Sequence, residues 1–219
     1  MQPLELYIHI PFCVKKCAYC DFLSGPAGEK EKEEYVKMLV DEIRNCPDTV
    51  QNYRVISVFF GGGTPSLLTG EQIGRLMDTV REIFTLDEDA EITMEMNPGT
   101  VTEEKLRKYR QAGVNRLSIG LQSVNDEELR LLGRIHTYEE FREAYHLARA
   151  NGFSNINVDL ISAIPGQTVE SWRRTLERVM ALSPEHISAY SLILEEGTTF
   201  YKKYVEDEAK EGPKLPDED

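Results

Sequence analysis

The sequence contains no apolar run approaching the ~20 residues that a membrane-spanning helix requires. No basic segment followed by a signal-like apolar stretch opens it. Positive charge is also in short supply: 25 Lys and Arg face 38 Asp and Glu, a formal net charge of -13. The footprint of a protein that grips phosphate backbones is therefore missing, and nucleic acid is not an expected partner. Cysteine is scarce, with four in the chain, three of them between positions 13 and 20. So clustered a set is badly placed for a disulfide framework and well placed for metal ligation in a reducing compartment, which points to the cytoplasm. The single tryptophan, Trp172, falls on an amphipathic stretch where core packing or a surface contact accounts for it.

What the chain does have is length and rhythm. Its 219 residues, 41% hydrophobic, suffice for one sizeable α/β core. Strand-length apolar runs alternate with helix-length amphipathic ones, as expected of repeated βα units on a parallel sheet. Strands are predicted at 4–10, 55–60, 91–96, 115–120, 155–161 and 186–192. Helices are predicted at 30–45, 70–84, 102–112 and 169–182, with an interrupted stretch over 125–150. Six such units predict a partial (β/α)6 TIM-like barrel with outer helices and function at the carboxyl ends of its strands. An open doubly wound sheet is the competing arrangement. Beyond Glu195 the sequence turns charged and irregular. Residues 1–195 are thus expected to form the core, and 196–219 the start of a linker or of a truncated carboxyl-terminal domain.

The first strand runs into Cys13-Val-Lys-Lys-Cys17-Ala-Tyr-Cys20, a C-x3-C-x2-C loop. Three thiolates on one short loop can ligate three corners of a 4Fe-4S cubane, leaving the fourth iron open to a bidentate small molecule such as S-adenosylmethionine (SAM). A structural zinc site is the alternative; it needs a fourth ligand, for which Cys46 and His9 are the available groups.

Polar residues gather at the other strand ends. Gly61-Gly62-Gly63-Thr64-Pro65 offers backbone N–H groups to a ligand, or only makes a tight turn, and it fits neither a Walker loop nor the dinucleotide fingerprint. Ile92, Met94 and Met96 alternate with Thr93, Glu95 and Asn97, so that Glu95 points into the barrel and needs a partner: a ligand amine or hydroxyl, or an internal Arg or Lys. Ser118, Gly120 and Gln122, then Asn155, Asn157 and Asp159, extend the polar lining. Arg134 and His136 follow the fourth strand and offer positive charge to a carboxylate-bearing ligand, although such residues commonly lie at surfaces.

The whole set resembles the radical SAM family, in its oxygen-independent coproporphyrinogen III oxidase-like branch. The resemblance rests on Tyr7-Ile-His-Ile-Pro-Phe-Cys13 through Asp21-Phe22, Phe60-Gly-Gly-Gly-Thr-Pro-Ser66, Glu95-Met-Asn-Pro98, and Gly120-Leu-Gln-Ser123 with Leu132-Gly-Arg-Ile-His136. A fifth segment, 159–167, matches with deviations: Ser162-Ala163 and Ile164 stand where relatives usually carry Tyr-Gly and Leu, altering the pocket wall near strand five. The resemblance implies a cluster on Cys13, Cys17 and Cys20. It also implies that Tyr7 and Tyr19 flank SAM, that Gly62, Gly63 and Thr64 hold its methionyl end, and that Glu95, Gln122, Arg134 and Asp159 complete the pocket. Members of the oxidase branch carry another cysteine two residues after the third; this chain has Asp21-Phe22, as the branch's heme chaperones do. Heme delivery to acceptor proteins is therefore the expected function, and radical decarboxylation of coproporphyrinogen propionates the alternative. Either implies a one-electron donor such as flavodoxin or ferredoxin, and a second domain that helps hold the tetrapyrrole.

Overall fold

The computed structural model describes residues 1–207 and 212–216. Six strands, β1 (Gln2–Ile10), β2 (Tyr53–Gly62), β3 (Thr85–Met96), β4 (Arg116–Gln122), β5 (Asn155–Ser162) and β6 (His186–Ser191), pair in parallel and in strict sequence order. That order separates the two expected architectures. A doubly wound sheet reverses its strand order at a switch point, whereas successive right-handed βα units curl one way into a barrel. The sheet is a curled half-barrel, with β1 and β6 at its two edges.

Between the strands run α1 (Glu29–Arg44), α2 (Gly70–Ile83), α3 (Glu103–Ala112), α4 (Asp126–Leu132), α5 (Tyr138–Ala150) and α6 (Val169–Met180). Thr69, Thr102, Thr137 and Thr168 cap α2, α3, α5 and α6 by accepting a backbone N–H three residues on, which satisfies a donor that the first turn leaves unpaired. The interrupted stretch over 125–150 is two helices. Gly133, at φ +79°, ends α4 in the left-handed conformation, and Thr137 starts α5.

The outward faces of the strands supply the core. Val58, Phe60, Met94, Ile119, Ile156, Val158 and Leu160 are fully buried against Ile73, Leu76, Met77 and Val80 of α2 and Phe141 of α5. The inward faces keep the polar residues, so the period-two alternation divides each strand between packing and chemistry. Strand β3 begins at Thr85, earlier than its apolar pattern suggests, because Thr85 and Leu86 pair with Arg54 and Val55 before a register shift. After Leu194 the chain makes α7 (Thr199–Tyr201), which continues as a wider turn over Lys202–Glu206. Phe200 is buried there with Leu132, Ile161 and Ile164. Among the described residues no helix is long and apolar enough to cross a membrane.

Candidate cofactor site at the strand ends

The cysteine loop is held by main-chain hydrogen bonds on three sides. Cys13 N–H donates to Gly25 O at 2.9 Å, and Gly25 N–H returns to Pro11 O at 3.0 Å, closing the loop on itself. Gly63 N–H and Thr64 N–H donate to Ile10 O and Phe12 O at 2.9 and 2.7 Å, tying it to the end of β2. Ala18 N–H donates to Leu132 O and Phe200 N–H to Ala18 O, both at 2.9 Å, tying it to α4 and α7.

Glycine is required where these elements meet. A Cβ on Gly63 would stand 2.6 Å from Phe12 O and 2.9 Å from Phe12 N, and one on Gly62, at φ +110°, would strike the His9 ring at 2.5 Å. The triple glycine is therefore the contact that brings β2 against the cysteine loop, beyond being a tight turn.

Cys13, Cys17 and Cys20 face a cavity of about 420 Å³, within the range of small-molecule sites. Its wall includes Tyr19, Gly62, Gly63, Thr64, Glu95, Gln122, Arg134 and Asp159. Tyr7 is not among the lining residues. It is exposed on β1, with its hydroxyl 3.1 Å from His9 Nδ1 and its ring stacked on Phe59. The structure adds wall residues that sequence reasoning did not single out, among them Lys15, Lys16 and the β6 end from Tyr190 to Ile193. Alternation marks Tyr190 as inward-facing, but nothing local in the sequence says how far β6 extends the cavity.

The chemistry of the wall is uneven. Burial pushes the Glu95 carboxyl up to about 7; the Gly62 N–H that donates to it at 3.0 Å works against that, and nearby Asp159 adds to it. No Arg or Lys pairs with Glu95 among the described residues, so the internal-cation alternative is not realised. Asp159 is also raised by burial, while Ser118 Oγ and Asn157 Nδ2 donate to it at 2.9 and 2.7 Å and hold it in place. Asn97 Oδ1, at the cavity wall, is a buried acceptor without a partner. His136 is buried beneath the wall; burial and then Arg134 pull its pKa down to about 3, so the neutral ring donates to Leu121 O at 3.3 Å. It is thus a brace for β4 and supplies no positive charge.

These features fit the cofactors that the sequence suggested. Three thiols and no fourth suit a cubane with one open iron, and an unpaired carboxyl, an unpartnered amide oxygen and two Cβ-free backbone positions suit a polar ligand beside it. Zinc fits poorly. Among the described residues no three His, Cys, Asp or Glu side chains converge to hold one metal ion. His9 has one ring nitrogen against Tyr7 Oη and the other against Leu23 O, while Cys46 bonds to Glu42 O past the end of α1.

Ala163 stands at φ +60°, in the region that costs a residue with a Cβ ~1 kcal/mol. Ala163→Gly is therefore expected to raise stability by ~1 kcal/mol. A urea midpoint unchanged or lowered in that variant would show the turn to be unstrained.

Comparison with known proteins agrees with this geometry. The profile of the radical SAM superfamily matches residues 7–179. The heme chaperone HemW of Escherichia coli K12 is 44% identical over 220 residues, covering all of this chain and 56% of that protein. The mitochondrial radical S-adenosyl methionine domain-containing protein 1 of Danio rerio is 38% identical over 199 residues, 91% of this chain and 45% of that protein. The solved structure of coproporphyrinogen III oxidase (HemN) from Escherichia coli, a radical SAM enzyme, superposes with a TM-score of 0.87 at 35% identity, over 99% of this chain and 49% of that one. The chain thus spans about half the length of the relatives it matches. By that profile, carried over most of its length, the chain belongs to the radical SAM superfamily.

Proposed function

We propose that the protein acts in heme metabolism as a radical SAM heme chaperone, with a 4Fe-4S cluster on Cys13, Cys17 and Cys20 and SAM in the adjoining cavity. The observation that carries this reading is the 44% identity to a heme chaperone along the entire chain. The Asp21-Phe22 pair in place of a further cysteine supports it.

The residues have distinct tasks. Cys13, Cys17 and Cys20 hold three corners of the cluster, and the backbone of Gly62, Gly63 and Thr64 lies along the methionyl end of SAM. Glu95 takes the ligand's amino group, its raised pKa falling as the cation binds. Asp159, oriented by Ser118 and Asn157, and Gln122 receive hydroxyl and amine hydrogens farther along β4 and β5. Tyr19, within the loop and in the cavity wall, flanks SAM, and Tyr7 stands outside the cavity on β1. When bound, the cluster and SAM supply one-electron cleavage of a carbon–sulfur bond and the radical chemistry that follows.

Residues 1–195 form the catalytic-type core in this reading, and 196–219 lead toward a further domain like that of the longer relatives. The tetrapyrrole is shared between that domain and the barrel mouth. A soluble one-electron donor of the flavodoxin or ferredoxin type reduces the cluster in the cytoplasm, and heme passes to acceptor proteins.

The likeness to HemN favours one competing reading, radical decarboxylation of coproporphyrinogen III. The test is incubation of the intact protein with coproporphyrinogen, SAM and reductant, beside a heme-binding titration. The chaperone reading expects heme retention without porphyrin turnover; sustained protoporphyrinogen formation would overturn it.

A further inference from the structure

Lys105 breaks a local rule. It stands in the first turn of α3, where the helix dipole disfavours a cation, and its neighbours Glu103 and Glu104 have the charge that the position favours. Among the described residues no carboxylate lies within salt-bridge distance of its ammonium. Instead the side chain reaches the turns at two strand ends. Nζ donates to Ser66 O at 2.9 Å and Thr100 O at 3.2 Å, with Leu67 O at 3.5 Å. Burial, and then the Lys32 ammonium, hold its pKa below the ordinary lysine range against the pull of Glu29. We propose that Lys105 is a positioning residue of the cofactor site: it fixes the spacing of the two walls that receive the methionyl end of SAM, and so governs SAM affinity without touching the ligand. The inference rests on the proposed reading of the cavity as a SAM site.

The three carbonyls belong to separate turns, Pro65–Leu67 after β2 and Pro98–Thr100 after β3. Carbonyl oxygens aimed at one point repel, and a cation between them turns that repulsion into cohesion. Ser66 carries the tie toward the cavity. Its hydroxyl lies 2.6 Å from Thr100 Oγ1 and accepts from Asn97 N–H at 3.2 Å, while its carbonyl also accepts from the buried Tyr109 hydroxyl at 3.2 Å. Thr64, two residues before Ser66, and Asn97 both line the cavity, so the cluster joins the β2 wall to the β3 wall.

That joint is needed because the sheet does not supply it. The pairing of β2 with β3 ends at Phe60 and Met94, short of the wall residues. Beyond it the walls are held by the Gly62 N–H bond to Glu95, at 3.0 Å, and by the Lys105 cluster. A ligand amine competes for Glu95, which leaves the cluster to keep the spacing.

The test measures SAM affinity by calorimetry on the intact, anaerobically reconstituted protein. The urea midpoint and the electron paramagnetic resonance of the reduced, SAM-free cluster are recorded beside it. Lys105→Met is expected to keep the iron content and SAM-free signal of the parent and to bind SAM ~10-fold more weakly. Lys105→Arg, which again offers a cation with several N–H donors, is expected to recover most of that loss. Tyr145→Phe, which removes a hydrogen bond to Leu182 O before the start of β6, is the control for lowered stability and should bind SAM as the parent does. Unchanged affinity in Lys105→Met, loss of its cluster, or a deficit matched by Tyr145→Phe would overturn the proposal. Should Lys105→Met not fold, Tyr109→Phe, which removes the other donor to Ser66 O, carries the comparison: weaker SAM binding supports the proposal and parent-like binding overturns it. A parent protein that takes up no cluster, or a cluster but no SAM, would instead overturn the reading of the cavity, a result distinguishable from the others.

Discussion

Replacing any one of Cys13, Cys17 or Cys20 with Ala is expected to abolish the cluster, whereas Cys46→Ala is expected to leave it intact. A cubane held by two thiolates leaves two irons without protein ligands and dissociates. After anaerobic reconstitution the parent and Cys46→Ala should carry about four irons per chain, and each variant of the triad less than about one. The change in folding stability should be small by comparison, within ~1 kcal/mol, because each thiol is half-buried and the loop is tied by main-chain bonds that the substitution leaves in place. The decisive measurement is the electron paramagnetic resonance of the reduced protein with and without SAM. A signal that survives loss of a triad cysteine, or one that needs Cys46, would refute the ligand assignment.

Glu95→Gln is expected to separate stability from ligand binding. The Glu95 carboxyl titrates near 7 in the folded protein against 4.5 for the free side chain, so the folded state binds the proton more tightly. A group whose pKa is raised on folding contributes stability below its unfolded value, and that contribution is lost as pH climbs through the folded value. Between about pH 4.5 and 7.5 the ligand-free parent should therefore lose about 3 kcal/mol that the Gln variant keeps. Glutamine preserves the acceptor for Gly62 N–H and removes the buried charge. Binding moves in the opposite direction. A charge-assisted bond to the ligand amine contributes roughly 1.5–3 kcal/mol, so SAM should bind the variant ~10- to 100-fold more weakly. Affinity for the parent should fall as pH drops below 7, where Glu95 must first release a proton, and that dependence should vanish in the variant. Equal urea stability of both proteins at pH 5 and pH 8, or unchanged SAM affinity, would contradict this account.

How much of this was legible in the sequence depends on the distance over which each feature is determined. Alternation marked Glu95, Ser118 and Asp159 as inward-facing, because strand geometry imposes that period locally, and each lies in the cavity wall. The spacing of Cys13, Cys17 and Cys20 is equally local. Other features depend on partners far along the chain. Periodicity gives no hint that Glu128 is buried, since its partners Gln167 and Ser171 lie some forty positions away on another element. The early part of β3 carries Asp87, Glu88 and Asp89 and shows no apolar alternation; its pairing with β2 defines it. The helical turn at Thr199–Tyr201 reads as charged and irregular, because the surface that Phe200 packs on is built by Leu132 and Ile161. Tyr7 was available only through resemblance, whereas Arg134 was marked by its place after the fourth strand as a candidate cation. The structure shows where both side chains stand, with Tyr7 outside the cavity and Arg134 against a cysteine sulfur.

The main-chain ties of the cysteine loop to β2, α4 and α7 involve no side chain of the triad. Where a metal site has no shape of its own, uptake of metal and folding are one event, and loss of the metal unfolds the chain. Here the receptacle is built by the surrounding scaffold. On the proposed reading, loss of iron and sulfide is therefore expected to leave the fold in place, and repair to need only resupply of the inorganic centre.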